Sequence, residues 1–331
     1  MPGADAHPGG GWVHQERVGR PTGGAVVHGD GPVRHTARVR GATRTTATLV
    51  VVVVLGFLVA CTPPVTRGAF NVPSAPCTDV VLITARGSSQ EVASGETRSV
   101  HARFQAAMTA VAPQRTLRIL EVGDLDGDGV ADPGGYPAFG FDRILGVDLT
   151  SDPVNDFAVI GGYNESRRVG SAEIVAVVDQ VLAACPSSRL VVVGTSMGAD
   201  AVAQGLVDVP LDQLDRIDAL HLFGDPRFMV GPWARAPRAW IPSGHGLLGI
   251  RRQYVPPSLA ERTVSWCGEF DGTCTAQWHV SVFQLLPFCE QLRQFAWCST
   301  RHVDYDYWAH EPAMLEAASA VVRRAGWQSG A

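Results

Sequence analysis

The sequence lacks the surplus of positive charge that binding to nucleic acid requires. Its 331 residues contain 27 lysines and arginines against 32 aspartates and glutamates, which gives a formal net charge of -5 at pH 7. Proteins that bind phosphate backbones cluster basic side chains on the surface that faces them, so we expect no nucleic-acid partner. The chain length and the hydrophobic share of 46% instead predict one large globular domain with appendages.

A hydrophobic run long enough to cross a bilayer comfortably is also lacking. Residues 47–60 are apolar over about the length of the central region of a signal peptide, and several arginines precede them. The run ends in Leu58-Val59-Ala60-Cys61, which resembles the bacterial lipobox, where cleavage leaves the cysteine to be acylated. We therefore expect an exported lipoprotein held on the outer face of the cell membrane through Cys61. An ordinary cleaved signal, with secretion, and a short uncleaved anchor are the alternatives.

These features divide the chain into four parts. Residues 1–46 are rich in glycine, proline, arginine and histidine and show no hydrophobic periodicity, so we predict a disordered leader. Residues 47–60 form the hydrophobic region of the export signal, and residues 61–76 form a proline-containing tether. Residues 77–331 form the globular domain, in which no internal repeat is visible.

None of the spacings between the seven cysteines is typical of a zinc site, so a metal-thiolate cluster is the weaker interpretation. If Cys61 carries lipid, an even number remains in an exported chain, where disulfides persist. We therefore expect the others to be paired: Cys77, Cys185, Cys267, Cys274, Cys289 and Cys298.

Apolar runs and amphipathic segments alternate along the globular domain. This alternation predicts a parallel sheet with helices on both faces. The predicted strands are 79–85, 117–122, 190–193, 219–223 and 263–266. The predicted helices are 96–112, 172–184, 199–209 and 312–324.

The third of these strands runs into Gly194-Thr195-Ser196-Met197-Gly198. In a G-x-S-x-G sequence between a strand and a helix, the serine occupies a sharp, strained turn that exposes its hydroxyl as a nucleophile. The glycines on either side let the strand and the helix approach closely. The alternative is an ordinary glycine and serine loop, but the buried strand before the motif and the helix after it favour a catalytic serine.

Four separated motifs give residues 77–325 a resemblance to the cutinase family of α/β-hydrolases. They are Thr84–Ser88, Gly194–Gly198, Phe223–Arg227 and Cys267–Cys274. The resemblance implies a three-layer α/β-hydrolase sandwich around a central, mainly parallel sheet. It also implies a serine esterase or lipase that acts on carboxylic esters through an acyl-enzyme intermediate.

The same resemblance implies the catalytic residues and two of the disulfides. The family places its catalytic aspartate inside a small disulfide loop, which here assigns Asp271 to the bridge Cys267–Cys274, and its other bridge corresponds to Cys77–Cys185. The serine hydroxyl needs a base and the base needs a carboxylate, so we assign Ser196, His302 and Asp271 to these roles. Two other histidines, His279 and His310, are competitors for the base. The remaining pair, Cys289 and Cys298, would close the segment before His302.

An oxyanion hole is expected from the backbone N–H of Met197 and from Ser88, which follows the Arg-Gly pair of the first motif. The alternative for Ser88 is a plain turn serine. Two departures from the family stand out. Thr195 and Met197 replace the usual tyrosine and glutamine around the serine, so any contact of the glutamine side chain is lost. His302 also lies much later after Asp271 than usual, which an insertion over 275–300 explains.

Four aspartates after the second predicted strand have the spacing of a calcium-binding loop. Asp124, Asp126, Asp128 and Asp132 occupy positions 1, 3, 5 and 9, with glycine at position 6. The acidic ligand of position 12 is missing, because Gly135 stands there. A structural calcium ion and a solvated turn are the two alternatives. Catalysis by a serine triad requires no cofactor in either case.

The insertion over 275–300 is rich in aromatic and aliphatic residues, and its place before His302 predicts an acyl pocket or partial lid, with ordinary packing as the alternative. We therefore expect a monomer that hydrolyses fatty acyl or polyester substrates. An acetylxylan esterase is the rival within the family. A catalytically silent surface lipoprotein that binds lipid is the rival from another class.

Overall fold

The structure is a computed structural model that describes residues 70–140, 153–235, 245–246, 248–251, 253–268, 271, 273–274 and 305–328. The leader, the hydrophobic segment 47–60, Cys61 and most of the tether lie outside these residues. So do His279, His302, Cys289, Cys298 and the insertion 275–300. Within the described residues, no helix is long and apolar enough to cross a membrane.

A six-stranded sheet forms the centre of the domain. Every pair of neighbouring strands in it is parallel, in the order β2-β1-β3-β4-β6-β5. The central strands are mainly apolar and buried on both faces, the pattern of a parallel sheet covered by helices. The strands are β1 Val80–Ala85, β2 Leu117–Glu121, β3 Arg189–Thr195, β4 Ile217–Phe223, β5 Ala234–Arg235 and β6 Thr263–Trp266.

Helices cover the sheet in two layers. Side chains of α2 and α3 share one hydrophobic cluster with one face of the sheet, whereas α1, α5 and α6 share a second cluster with the other face. The predicted three-layer α/β sandwich is therefore confirmed. The helices are α1 Gly95–Val111, α2 Pro153–Ala184, α3 Met197–Leu206, α4 Leu211–Leu214, α5 Tyr305–Trp308 and α6 His310–Ala325, with a 3₁₀ helix over Pro257–Arg262.

The helix α2 begins well before the predicted start at residue 172. Glycines at 161, 162 and 170 lower the helix propensity of its first half, so the sequence pattern indicates only the second half. Two of these glycines are needed for packing. A Cβ on Gly162 would lie 2.4 Å from the Phe139 ring, and one on Gly170 would lie 2.7 Å from the Tyr136 ring. Tertiary contact therefore overrides local propensity here.

The elements β5, α4 and α5 were not predicted, because β5 has two residues and each of the two helices is a single turn, which shows no helical periodicity.

A disulfide joins Cys77, which precedes β1, to Cys185, which follows α2. This is the pairing that the family resemblance implies. The bridge spans 108 positions of sequence and restrains the beginning of the domain against the chain just before β3. A cross-link over so long a loop stabilises a fold chiefly by restricting the unfolded chain.

Candidate active site

The carboxyl ends of four strands lie level at one edge of the sheet. Ala85 pairs with Gly194, Thr195 pairs with Phe223, and Phe223 pairs with Trp266. The turns that follow β1, β3, β4 and β6 therefore emerge side by side, about 4.8 Å apart from one strand to the next. Crevices beyond the carboxyl ends of parallel strands are where open α/β sheets bind their ligands.

Ser196 lies at the centre of this edge, between β3 and α3. Its backbone has φ 53° and ψ -121°, a conformation that costs a non-glycine residue on the order of 1–3 kcal/mol. The turn is held from both sides: the Ser196 N–H donates to the Phe223 carbonyl at 2.7 Å, and the Ser196 carbonyl accepts the Ala199 N–H at 2.9 Å. The serine therefore has the strained geometry that the motif predicts.

The two glycines of the motif have no room for a side chain. A Cβ on Gly194 would lie 2.6 Å from the Ala199 Cα, and one on Gly198 would lie 2.2 Å from the Ala85 carbonyl oxygen. Both contacts are with backbone atoms, which cannot rotate away. The start of α3 thus packs directly on the ends of β1 and β3, and the helix places its N-terminal N–H groups next to Ser196.

The two candidate oxyanion donors flank the serine. Met197 is the first residue of α3, so its N–H has no partner within the helix, and its side chain is fully buried in the core. On the other side, the loop after β1 passes close to the nucleophile, because a Cβ on Gly87 would lie 3.2 Å from the Ser196 Cβ. Ser88, the next residue, is half-buried.

Two residues that the sequence analysis did not assign hold this loop in place. The Gln90 side chain accepts the Gly87 N–H at 2.9 Å, so that N–H is already occupied. The buried Arg86 side chain donates to three backbone carbonyl oxygens, at 3.0, 2.8 and 2.8 Å; they belong to Gln90, Val122 and Tyr136. Arg86 belongs to the first motif of the family resemblance, so the sequence draws attention to it. Its role could not be predicted, because the carbonyl oxygens that it contacts lie 36 and 50 positions away in the chain.

Asp271 lies in the loop after β6 and is almost completely buried. A disulfide between Cys267 and Cys274 closes this loop, as the resemblance implies. One carboxylate oxygen accepts the Thr273 N–H at 2.8 Å, and the other accepts the Tyr305 hydroxyl at 2.6 Å. The carboxylate is thus fixed in orientation, which a residue that orients a catalytic imidazole requires.

Tyr305 is the residue that connects Asp271 to the beginning of α5. Its buried hydroxyl accepts the Gly268 N–H at 3.0 Å while it donates to Asp271. Burial and the charge of Asp271 raise the pKa of Tyr305 well above its ordinary value, so the hydroxyl keeps its proton and remains a donor. Tyr305 was not assigned a role from the sequence, in which it follows His302 by three positions.

Of the three histidines considered as the base, only His310 is described. It is buried at the start of α6, where its Nδ1 lies 2.6 Å from Asp306 and 3.1 Å from the Ser99 hydroxyl. Burial lowers the pKa of His310 to about 4. Its Nδ1 faces residues of α1 and α5 and not Asp271, so this ring belongs to the helix layer. The assignment of the base to His302 stays a prediction.

The aspartate-rich loop lies between β2 and α2. Asp124, Asp126 and Asp128 each bring one carboxylate oxygen within 4.8 Å of the others. Asp132 instead accepts the Leu125 N–H at 2.7 Å and closes the loop. Burial, followed by the charges of Asp128 and Asp126, raises the pKa of Asp124.

A buried glutamate on α2 holds the two ends of this loop together. Glu173 accepts the N–H of Gly123 and the N–H of Tyr136, both at 2.7 Å. Burial raises the pKa of Glu173 to about 7. Since Tyr136 also donates its hydroxyl to the Arg86 carbonyl at 3.0 Å, the base of the loop is connected to the segment that carries Ser88.

The parallel sheet, the strained serine turn and the buried acidic loop after β6 define the class of α/β-hydrolases. The family model for cutinase matches residues 140–290. Carboxylesterase Culp1 of Mycobacterium tuberculosis is 25% identical over 202 residues, which cover 60% of this chain and 70% of that protein. The protein of the same name from Mycobacterium bovis matches with the same figures.

Two solved structures of acetylxylan esterase share the fold. One has a TM-score of 0.50 and the other, an iodinated complex, 0.51; each is 18% identical and covers 74% of this chain and 99% of its own. These structures show that the chain has the α/β-hydrolase fold, and the sequence matches show that it is similar to cutinases and to a carboxylesterase.

The hydrogen bonds of Tyr305 lead to a first testable expectation. Tyr305→Phe removes one donor from the buried Asp271 and leaves the Gly268 N–H without its acceptor. We expect the free energy of unfolding to fall by about 1–3 kcal/mol and kcat/KM for an ester to fall about tenfold or more, because the carboxylate loses a fixed orientation. Urea denaturation and initial rates measure the two effects.

A matched control is Ser188→Ala, which removes a buried hydroxyl that donates to the Thr78 carbonyl at 2.5 Å. Ser188 lies at the opposite end of β3, so its loss should reduce stability and leave kcat/KM unchanged. Equal kcat/KM in the Tyr305→Phe variant and the wild-type protein would contradict the expected role of Tyr305.

Proposed function

We propose that this cutinase-like protein is a serine esterase that forms an acyl-enzyme on Ser196. The observation that supports this most directly is the strained backbone of Ser196 at the N-terminus of α3. The loop that holds the buried carboxylate of Asp271 begins at the same level of the sheet, two strands away. A glycine would adopt this conformation without strain, so a serine at this position needs another reason. Strained residues of this kind are found at catalytic turns.

The proposed reaction has two halves. The Ser196 Oγ attacks the ester carbonyl while His302 accepts the hydroxyl proton, and Asp271 holds the imidazole and stabilises its positive charge. Negative charge then develops on the carbonyl oxygen next to the Met197 N–H and Ser88, in the field of the N-terminus of α3. His302 returns the proton to the leaving alcohol, and water completes a second, equivalent cycle on the acyl-enzyme.

The substrates we propose are fatty acyl esters or polyesters. The apolar insertion over 275–300 supports them, because it comes between the two triad residues that follow Ser196 in the chain and would contribute an acyl pocket or lid. Acetylated xylan is the second candidate, since the similar solved structures are acetylxylan esterases. Sugar acetates would not need an apolar pocket.

The proposed nucleophile is tested with a fluorophosphonate probe, which labels only an activated serine. We expect the wild-type protein to be labelled and to hydrolyse p-nitrophenyl esters. We expect Ser196→Ala to lose all labelling and at least about 10⁴-fold in kcat, because no other group can form the acyl-enzyme. A folded wild-type protein that is neither labelled nor active would favour the catalytically silent lipid-binding lipoprotein.

The proposed substrate class is tested by a panel of esters with acyl chains of increasing length, assayed beside acetylated xylan. We expect kcat/KM to rise with chain length, since each buried methylene favours binding by about 0.8 kcal/mol. A preference for acetate, in the panel and on xylan, would favour the acetylxylan esterase instead. A variant that lacks residues 275–300 and folds should lose the dependence on chain length if the insertion forms the pocket.

We further propose that Asp124, Asp126 and Asp128 hold a structural calcium ion. Burial raises the pKa of Asp124, and the nearby carboxylates of Asp126 and Asp128 raise it further. A bound cation would relieve the repulsion between these three carboxylates. Such an ion would stabilise the aspartate-rich loop. Hydrogen bonds of Glu173 and Arg86 connect the two ends of this loop to the segment that carries Ser88. It would take no part in ester hydrolysis.

Calcium binding is tested by calorimetric titration of the folded domain, followed by thermal unfolding. At 100 times the dissociation constant, calcium should add about 2.7 kcal/mol to the free energy of unfolding. Asp126→Asn together with Asp128→Asn should abolish that gain. If the titration of the wild-type domain shows no heat of binding and the domain binds no calcium, the site is ruled out.

We also propose that the domain is exported and anchored by lipid on Cys61. The disulfides Cys77–Cys185 and Cys267–Cys274 support an oxidising compartment. Mass spectrometry of the mature protein should find an acylated Cys61 as the first residue; an unmodified N-terminus elsewhere would contradict the anchor. The domain released from the anchor should elute as a monomer in gel filtration.

A further inference from the structure

A buried cluster of ions lies directly behind the serine turn. Asp200 belongs to the first turn of α3, four positions after Ser196, and Asp225 lies in the turn after β4. Both carboxylates are inaccessible to solvent, and so is nearly all of Arg251. A buried charge is costly unless it is paired and hydrogen-bonded, so this arrangement needs a structural or chemical reason.

Arg251 joins the two carboxylates through four hydrogen bonds. Its Nε and Nη2 donate to one oxygen of Asp200 at 3.1 and 2.9 Å. Its Nη1 and Nη2 donate to the two oxygens of Asp225, both at 2.7 Å. Burial acts to lower the pKa of Arg251, but the charges of Asp225 and Asp200 raise it, so the guanidinium is charged at every pH at which an esterase works.

Further partners complete the cluster from other elements. From α2, the Tyr163 hydroxyl donates to Asp200 at 2.9 Å and Arg167 approaches within 4.0 Å. Arg227 donates to Asp200 through its side chain at 3.1 Å and to Asp225 through its backbone N–H at 2.9 Å. The Tyr254 ring lies 5.1 Å from the guanidinium, and its hydroxyl bonds to Ser265.

The position of the cluster couples it to the nucleophile in two ways. Mechanically, Arg251 fastens the first turn of α3 to the turn that follows β4. The Ser196 backbone is held between the same two elements, by the Phe223 carbonyl at the end of β4 and by the Ala199 N–H in α3. Electrostatically, Asp200 lies about one helical turn from the place where the ester oxygen becomes negative. Although burial acts to raise the pKa of Asp200, the charges of Arg251, Arg167 and Arg227 hold it below the ordinary value, so the carboxylate is ionised.

We propose that Arg251 is a positioning residue of the hydrolytic site, which locks the serine turn and, together with Arg227 and Arg167, offsets the negative charges of Asp200 and Asp225 behind the oxyanion. This inference rests on the proposed esterase function. Removing the positive charge of Arg251, about one helical turn from the developing oxyanion, would slow formation of the oxyanion by on the order of 10- to 100-fold. The removal would also stabilise a protonated imidazole.

The decisive variant is Arg251→Gln, which removes the cation and leaves both carboxylates in place. We expect kcat/KM for a p-nitrophenyl ester to fall on the order of 100-fold, mainly in kcat. The pKa of the acid limb of the pH profile should rise, because the loss of one positive charge behind the serine turn favours the protonated base. Arg251→Lys keeps the charge and loses the fork of donors, so it should restore the acid limb and recover only part of kcat.

Asp200→Asn provides a second test with the opposite sign. It removes a negative charge and keeps Arg251 paired with Asp225, so the pKa of the acid limb should fall below that of the wild-type protein. A purely structural role would not move the two profiles in opposite directions. Because this variant keeps the cation, it remains informative if Arg251→Gln fails to fold.

The chain contains a matched control at the other end of the same strands. Asp218 on β4 is also fully buried between two arginines, with the Arg189 Nε at 2.7 Å and the Arg324 Nε at 2.8 Å. Arg189→Gln should lower the free energy of unfolding as Arg251→Gln does, while kcat/KM changes less than threefold and the pH profile stays the same.

Wild-type kinetics in Arg251→Gln, or equal changes of the pH profile in Arg251→Gln and Arg189→Gln, would overturn the inference. Titration of active sites with a phosphonate separates it from the proposed function. An unlabelled wild-type Ser196 refutes the esterase. A labelled wild-type protein with an unaffected Arg251→Gln variant refutes only the role of Arg251.

Discussion

The contact on which the rest of the site depends is the one between the first turn of α3 and the ends of β1 and β3. No side chain fits there, since a Cβ on Gly198 would meet the Ala85 carbonyl oxygen at 2.2 Å. At this close approach the Ser196 backbone turns sharply with a positive φ, and the helix N-terminus points at the space above the sheet. The level carboxyl ends of the parallel strands then place the loops after β1, β4 and β6 around the same point.

The features predicted from the sequence are those with a local pattern. Buried, mainly apolar runs indicate β1, β3 and β4, and the glycines around Ser196 indicate the sharp turn, because strand burial and turn geometry depend on neighbouring residues. The fold class follows, since strands that alternate with helices can bury their surface only as a covered parallel sheet. Asp271 was indicated by its pair of flanking cysteines and the family resemblance.

The features that were not predicted depend on contacts between distant segments. Arg86 supports the loop of Ser88 by binding carbonyl oxygens 36 and 50 positions away, and Arg251 joins two aspartates that are 51 and 26 positions away. An arginine in a sequence gives no sign of whether it will be buried or which carboxylate it will meet. The first half of α2 escaped prediction for a related reason: its glycines lower helix propensity, and only the folded neighbours Phe139 and Tyr136 show why they are needed.

The two disulfides differ in what they require of the chain before they form. Cys267 and Cys274 are separated by 7 positions, whereas Cys77 and Cys185 are separated by 108. In an unfolded polypeptide the ends of a short loop meet far more often than the ends of a long one. The ring around Asp271 can thus close by local encounter, before any sheet exists, while the longer bridge awaits the pairing of β1 with β3, the strands that Cys77 and Cys185 precede. The disulfide Cys267–Cys274 would then form first and fix the shape of the Asp271 loop early. The disulfide Cys77–Cys185 would form last, once the domain has folded.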